Sequence, residues 1–140
     1  MFITELVVAR DMHERNLWVV KSPLVWDDGT NFITVPVGFK FDFCSVPTLL
    51  QGFIPRSGMF YDRATCLHDW LYGTWITDRK EADRLFYEAM LDDHVPKSRA
   101  WIMYRAVRAF GGSAWRGRTI ESVQENRILG GLPRLAPESA

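Results

Sequence analysis

Ala64-Thr65-Cys66-Leu67-His68-Asp69-Trp70-Leu71-Tyr72-Gly73-Thr74-Trp75 is the stretch on which the reading of this chain turns. Ala64, Leu67, Leu71 and Trp75 recur at steps of three or four residues, the spacing of one apolar helix face. His68 and Tyr72 border that stripe. Just downstream, Thr77 or Asp78 can cap a second helix, with Glu81 three residues after Asp78 in a capping-box arrangement. Ala82, Leu85, Phe86, Ala89 and Met90 supply its buried face, and the short break between the two helices implies an antiparallel hairpin. Pro96 closes that unit. A third helix over 98–110, stopped by Gly111-Gly112, is expected to turn Met103, Tyr104, Val107 and Phe110 inward.

Upstream the pattern changes period. Residues 16–20, 24–26 and 32–37 are short β-branched or aromatic runs parted by turn residues, and Asp27-Asp28-Gly29-Thr30 reads as a hairpin turn. Phe39, Phe41 and Phe43 alternate with Lys40 and Asp42, which places the aromatics on one strand face and Asp42 on the other. Ser45-Val46-Pro47 suits a helix entry, so 48–53 is expected to form one or two helical turns. The fold class that follows is α+β, a small antiparallel sheet in the N-terminal third packed against three helices. Residues 1–112 form this one domain. Residues 113–140 have few apolar side chains, a Gly130-Gly131 pair and prolines at 133 and 137, so they read as an extended C-terminal tail docked on a partner. Removing 119–140 should then leave the fold largely intact.

Composition supports a globular chain. Of 140 residues, 47% are hydrophobic and 24% charged, which excludes a disordered or fibrous protein. No apolar run approaches the roughly 18 residues of a membrane helix, and residues 1–10 lack the features of a signal peptide, so synthesis in a cytoplasm is expected. Cys44 and Cys66 lack the paired spacing of a zinc or redox motif and read as buried thiols. Formal charge is zero but unevenly spread: residues 61–96 hold four basic against eight acidic side chains, and 97–140 hold eight against three. Arg105 and Arg108 lie three residues apart near Trp101 and Tyr104, as phosphate-binding cations can. With zero net charge and no nucleic-acid motif, a solvated face or a protein interface is the reading of that surface. Arg116, Arg118, Arg127 and Arg134 are the expected partner contacts of the tail.

Taken in order, Val35-Pro36-Val37-Gly38-Phe39, Phe41-Asp42, Ser45-Val46-Pro47, Leu67-His68-Asp69-Trp70-Leu71-Tyr72 and Ala82-Asp83-Arg84-Leu85-Phe86 resemble a phage and prophage family known as domain of unknown function thirteen fifty-three. The resemblance covers about residues 30–112. Phe43-Cys44 stands where that family favours a pair of small residues. The resemblance implies a bacteriophage or prophage origin and other phage structural proteins as oligomeric partners. It also implies manufacture in a host cytoplasm with incorporation in a virion. It carries no reaction.

The chemistry rests on His68-Asp69. Adjacent helical side chains project about 100° apart, so Asp69 is not the natural orienter of His68. Asp83 on the neighbouring helix is, because a carboxylate there can fix the imidazole tautomer and leave the other nitrogen to activate water. The pattern is similar to the active helices of secretory phospholipases, which carry an adjacent His-Asp, a tyrosine one turn later and a second aspartate from a facing helix. Tyr72 matches that tyrosine, and the resemblance implies that Asp69 holds a divalent cation such as calcium. Those enzymes complete their calcium site with a glycine-rich loop, whereas residues 51–58 have only Gly52 and Gly58. Three other readings stand beside it: a brace of buried hydrogen bonds between His68 and Asp83, a nucleophile triad using Ser45, and a zinc or magnesium site from His68, Asp69, Asp83 and Asp42. Tyr72, Asp42 and Ser45 are the candidate substrate contacts.

Two function classes follow. One is a structural or assembly module associated with a phage virion or tail. The other is a hydrolase dependent on His68, Asp83 and Asp69 that acts on the peptidoglycan or phospholipid of the host envelope.

Overall fold

Two small antiparallel sheets open the chain in this computed structural model, which describes residues 1–14, 16–42 and 61–136. Strands β1 (Val8–Arg10), β2 (Trp18–Val20) and β5 (Lys40–Phe41) form the first, in the order β1-β2-β5. Strands β3 (Leu24–Asp27) and β4 (Phe32–Val35) form the second, with Leu24 opposite Val35 and Asp27 opposite Phe32. The turn between them follows its residue types. Asp28 Oδ1 accepts the amides of Thr30 and Asn31, and Gly29 takes the positive φ of 97° that side-chain-bearing residues resist. Alternation along the last strand holds: Phe39 and Phe41 are buried and stacked with centroids 6.0 Å apart, and Asp42 is exposed. The readings that concern Phe43, Cys44, Ser45, residues 48–53 and residues 51–58 lie outside the described residues.

Among the described residues five helices follow: α1 (Asp62–Thr74), α2 (Arg79–Asp92), α3 (Lys97–Phe110), α4 (Gly112–Arg116) and α5 (Ile120–Leu129). The first is the centre of the molecule. Every residue from Ala64 to Thr74 is buried, because α2, α4, α5, β4 and β5 all pack around it. A helix enclosed on all sides shows no single stripe: Ala64, Leu67 and Leu71 are only part of its buried surface, and Trp75, expected to continue their stripe, is half-buried just past its end. Trp75 ends α1 in a left-handed conformation, φ 51°, and Asp78 then caps α2 by accepting the Glu81 amide at 2.7 Å. Helix α3 buries Met103 and Val107 as expected, but Ala100 and Ala106 complete its inner face in place of Tyr104, which is half-buried, and Phe110, which is exposed.

The C-terminal segment corrects the expectation of an extended tail. Residues 112–129 carry α4 and α5, and Thr119 Oγ1 caps the latter by accepting the Ser122 amide. Only Val123 of α5 is buried, so no apolar periodicity announced the helix. It docks through polar groups instead. Asn126 Nδ2 donates to the Gly73 carbonyl at 3.0 Å, and Arg127 Nη1 to the Thr74 carbonyl at 2.7 Å. These are end-of-helix carbonyls that have no partner within α1. Arg127 also donates to the Pro133 carbonyl, so this expected partner contact is spent inside the chain. Arg116 and Arg134 are exposed, and Arg118 is half-buried.

Behind α5, Gly130 lies against the Trp70 ring, and a Cβ there would stand 2.6 and 2.7 Å from two ring carbons. Trp70 is 1% exposed and meets Phe39 edge-on at 5.0 Å, so the ring has nowhere to retreat. Gly130→Ala should therefore lower stability by about 1–3 kcal/mol through overpacking. Its φ of −83° is ordinary for alanine, so strain adds nothing to that figure. A urea midpoint unchanged from wild type would show that the contact is slack.

Candidate functional site

Helices α1 and α2 run antiparallel, and this brings the late residues of one beside the early residues of the other. His68 and Tyr72, one turn apart on α1, face Asp83 on α2. His68 Nε2 and the Tyr72 hydroxyl both reach Oδ1 of Asp83, each at 2.7 Å. The carboxylate is fully buried. Its other oxygen, Oδ2, accepts from Arg108 Nη1 at 2.7 Å, with Arg79 Nη1 3.6 Å away. Arg79 is itself fixed by donating to the carbonyls of Val107 and Arg108, which lie at the end of α3. Gly111 makes room for this junction, since a Cβ there would meet the Tyr72 hydroxyl at 2.7 Å and the Val107 carbonyl at 2.5 Å.

Electrostatics decide which proton sits where. Burial alone would raise the Asp83 carboxyl, but hydrogen bonds from His68, Tyr72 and Arg108 outweigh it, and the group sits below the ordinary carboxylate range. Burial pushes the His68 imidazole below its ordinary value against the pull of Asp83, with Arg118 and Arg79 adding repulsion. A neutral ring facing an anionic carboxylate must put its single proton on Nε2. The Nδ1 lone pair is left as the basic site. Burial, helped by the Asp83 charge, raises the Tyr72 phenol, which stays a donor. Around the imidazole the Tyr72 and Phe86 rings stand at 4.3 and 4.5 Å, and the residue is 2% exposed.

This arrangement gives a stability prediction. A histidine whose native pKa lies below 6.5 binds a proton more readily in the unfolded chain, so its contribution is complete above pH 6.5 and is lost as pH falls. Asp83, also depressed, acts in the same direction but only near its ordinary 3.8. The midpoint of thermal unfolding should fall between pH 7 and pH 5, at no more than about 1.4 kcal/mol per pH unit from this one group. Circular dichroism melts of His68→Gln should show a flatter slope over that window. Equal slopes would mean that His68 is not the group being titrated.

Asp69, the expected cation ligand, is buried, and none of the described hydrogen bonds at Asp83 or His68 involves it. Calcium requires six to eight oxygens. Asp69 brings one carboxylate, and among the described residues no group of three histidine, cysteine or acidic side chains could hold a metal ion. The described residues thus do not fit a calcium site by themselves, nor the zinc or magnesium set of His68, Asp69, Asp83 and Asp42. Asp42 is exposed at the end of β5, outside the Asp83 cluster, and Ser45 lies outside the described residues. Cys66 is buried, and burial followed by the Asp69 charge pushes its thiol well above the usual range, which suits an inert core thiol. Two participants were not anticipated. Arg79 could have been found from its position four residues before Asp83, a helical ion-pair spacing. Arg108 was read as a surface cation and is instead turned onto Asp83.

The chain is therefore an α+β protein organised around a buried histidine, tyrosine, carboxylate and arginine cluster that joins three helices. It belongs to the family described as "Protein of unknown function (DUF1353)", whose match extends over residues 18–107. It is also similar to the "Uncharacterized protein y4iH" of Sinorhizobium fredii, with 39% identity over 75 residues. That stretch is 51% of this chain and 30% of the relative, so the chain spans under a third of that protein. No solved structure matches the chain at a significant level. No helix among the described residues is long and apolar enough to cross a membrane.

Proposed function

We propose that this is a bacteriophage or prophage protein that hydrolyses esters of the host envelope, phospholipids foremost, with His68 as general base. The observation that carries the reading is the convergence of His68 Nε2 and the Tyr72 hydroxyl on one buried oxygen of Asp83. An adjacent His-Asp, a tyrosine one turn on and an aspartate from a facing helix make up the pattern noted above for secretory phospholipases. Here the histidine and the tyrosine share one oxygen of that aspartate. In the proposed reaction Nδ1 of His68 takes a proton from water as the water oxygen bonds to the ester carbonyl carbon. The imidazolium, steadied by Asp83, then returns that proton to the leaving alkoxide, giving a carboxylic acid and an alcohol. No step is routed through a cation.

A second reading has its own support. His68 is 2% exposed between two aromatic rings, and Asp83 ties α1, α2 and α3 together, as a brace in a virion or tail-associated structural module would. Fatty acid release from phospholipid vesicles, with and without calcium, tests the hydrolase reading, and release of soluble fragments from purified peptidoglycan forms the second arm. Lipid cleavage that disappears in His68→Asn is the expected result. No turnover of either substrate, or turnover that His68→Asn leaves unchanged, would return the site to the role of brace. Recovery of the chain in purified particles would then bear on the assembly module.

A further inference from the structure

We propose that Arg108, with Arg79 behind it, is a positioning residue for His68: it fixes Asp83 so that one oxygen serves the imidazole, and its charge offsets part of the carboxylate's pull on a second imidazole proton. The inference deepens the hydrolase reading and rests on it for its catalytic meaning.

A free carboxylate can turn about its terminal bond and offer either oxygen to a partner. At Asp83 that freedom is removed, because Oδ2 is held by Arg108 at 2.7 Å while Oδ1 takes His68 and Tyr72. Arg108 is in turn steadied through its own helix end. Arg79 donates to the carbonyls of Val107 and Arg108, so the backbone that carries one guanidinium is gripped by the other. A bidentate-capable, permanently charged group is suited to this task in a way a lysine is not.

Charge does the rest. The titratable and charged groups that bear on the imidazole are Tyr72 on α1, Asp83 and Arg79 on α2 and Arg118 after α4, with Arg108 on α3 acting through Asp83 Oδ2. Asp83 with its two arginines carries one net positive charge when His68 is neutral, and a proton on His68 would make it two. Asp83 alone would draw that proton on. Burial of the ring opposes that attraction first and the arginine charges add to the opposition, and a neutral base is the form able to accept a proton from water. With both arginine side chains less than a third exposed, solvent screens this only in part.

The test reads the imidazole without any substrate. In protein labelled with nitrogen-15, the ring resonances of His68 are followed across pH in wild type, Arg108→Gln and Arg79→Gln. Arg108→Gln, which removes the charge held on Asp83 Oδ2 and frees that carboxylate to serve the imidazole, should raise the His68 pKa by up to about one unit. Arg79→Gln, which removes a charge that repels the imidazole proton directly, should raise it as well, and Arg108→Lys should return it most of the way to wild type. Where the enzyme turns over lipid, the acid limb of kcat should move to higher pH by the same amount. A merely structural arginine would lower the melting temperature and leave both readouts in place. An unmoved His68 pKa in both glutamine variants overturns the inference even if lipid is hydrolysed. A shifted pKa without hydrolysis upholds the positioning and counts against the hydrolase reading alone.

Discussion

Replacing Asp83 by alanine is expected to cost on the order of 3–5 kcal/mol, a large part of the 5–15 kcal/mol that holds a domain of this size together. The figure follows from what the carboxylate leaves behind. His68 Nε2 and the Tyr72 hydroxyl would lose their shared acceptor in a buried space, and Arg108 would lose the anion at 2.7 Å. Stranded donors cost more than the bonds were worth, because each buried group left without an acceptor carries its full desolvation penalty. Asp83→Asn should cost less, since its carbonyl oxygen can still serve one side, but its amide would then point donors at donors on the other. Urea denaturation of the three proteins decides the matter. A loss below about 1 kcal/mol for Asp83→Ala would mean that the surrounding groups find water or new partners, contrary to the burial described.

The second large effect is chemical. His68→Asn should reduce ester hydrolysis by about a hundredfold to ten-thousandfold, the range associated with loss of a positioned general base. The companion His68→Gln, whose amide nitrogen stands near the place of Nε2 and can still donate toward Asp83 Oδ1, should lose as much activity while its melting temperature changes far less than in Asp83→Ala. The pairing of the two variants matters more than either alone: one should lose the fold and the other only the rate. Activity of His68→Asn within tenfold of wild type would remove the imidazole from the mechanism.

Much of this was legible from residue order. The period of two at Phe39 and Phe41, the Asp-Gly turn, the Asp78 cap and the close sequence of two helices all follow local rules, and the structure obeys them. The same locality made the His68–Asp83 contact readable, because a short break between helices leaves few registers. Strand β1 was missed, since Val8–Arg10 is only three residues long and depends on pairing with β2 rather than on its own pattern. Helix α5 was missed because polar groups, Asn126 and Arg127, attach it where sequence reading looks for an apolar face. Arg108 was misassigned for a related reason. Whether an arginine meets solvent or a buried anion depends on how α3 is rotated against α2, and Tyr104 and Phe110, chosen as its inner face, set that rotation wrongly.

The clasp that Asn126 and Arg127 place on the end of α1 bears on where this protein can be cut. Family similarity stops at residue 107, yet the carbonyls of Gly73 and Thr74, two residues beyond Tyr72, are satisfied from residues 126 and 127. An excision drawn at the limits of recognisable kinship would bare the terminus of the innermost rod and uncover Trp70 beside Gly130. The portion that evolution makes easy to recognise is thus smaller than the portion that must travel together, and expression boundaries should be set by the second.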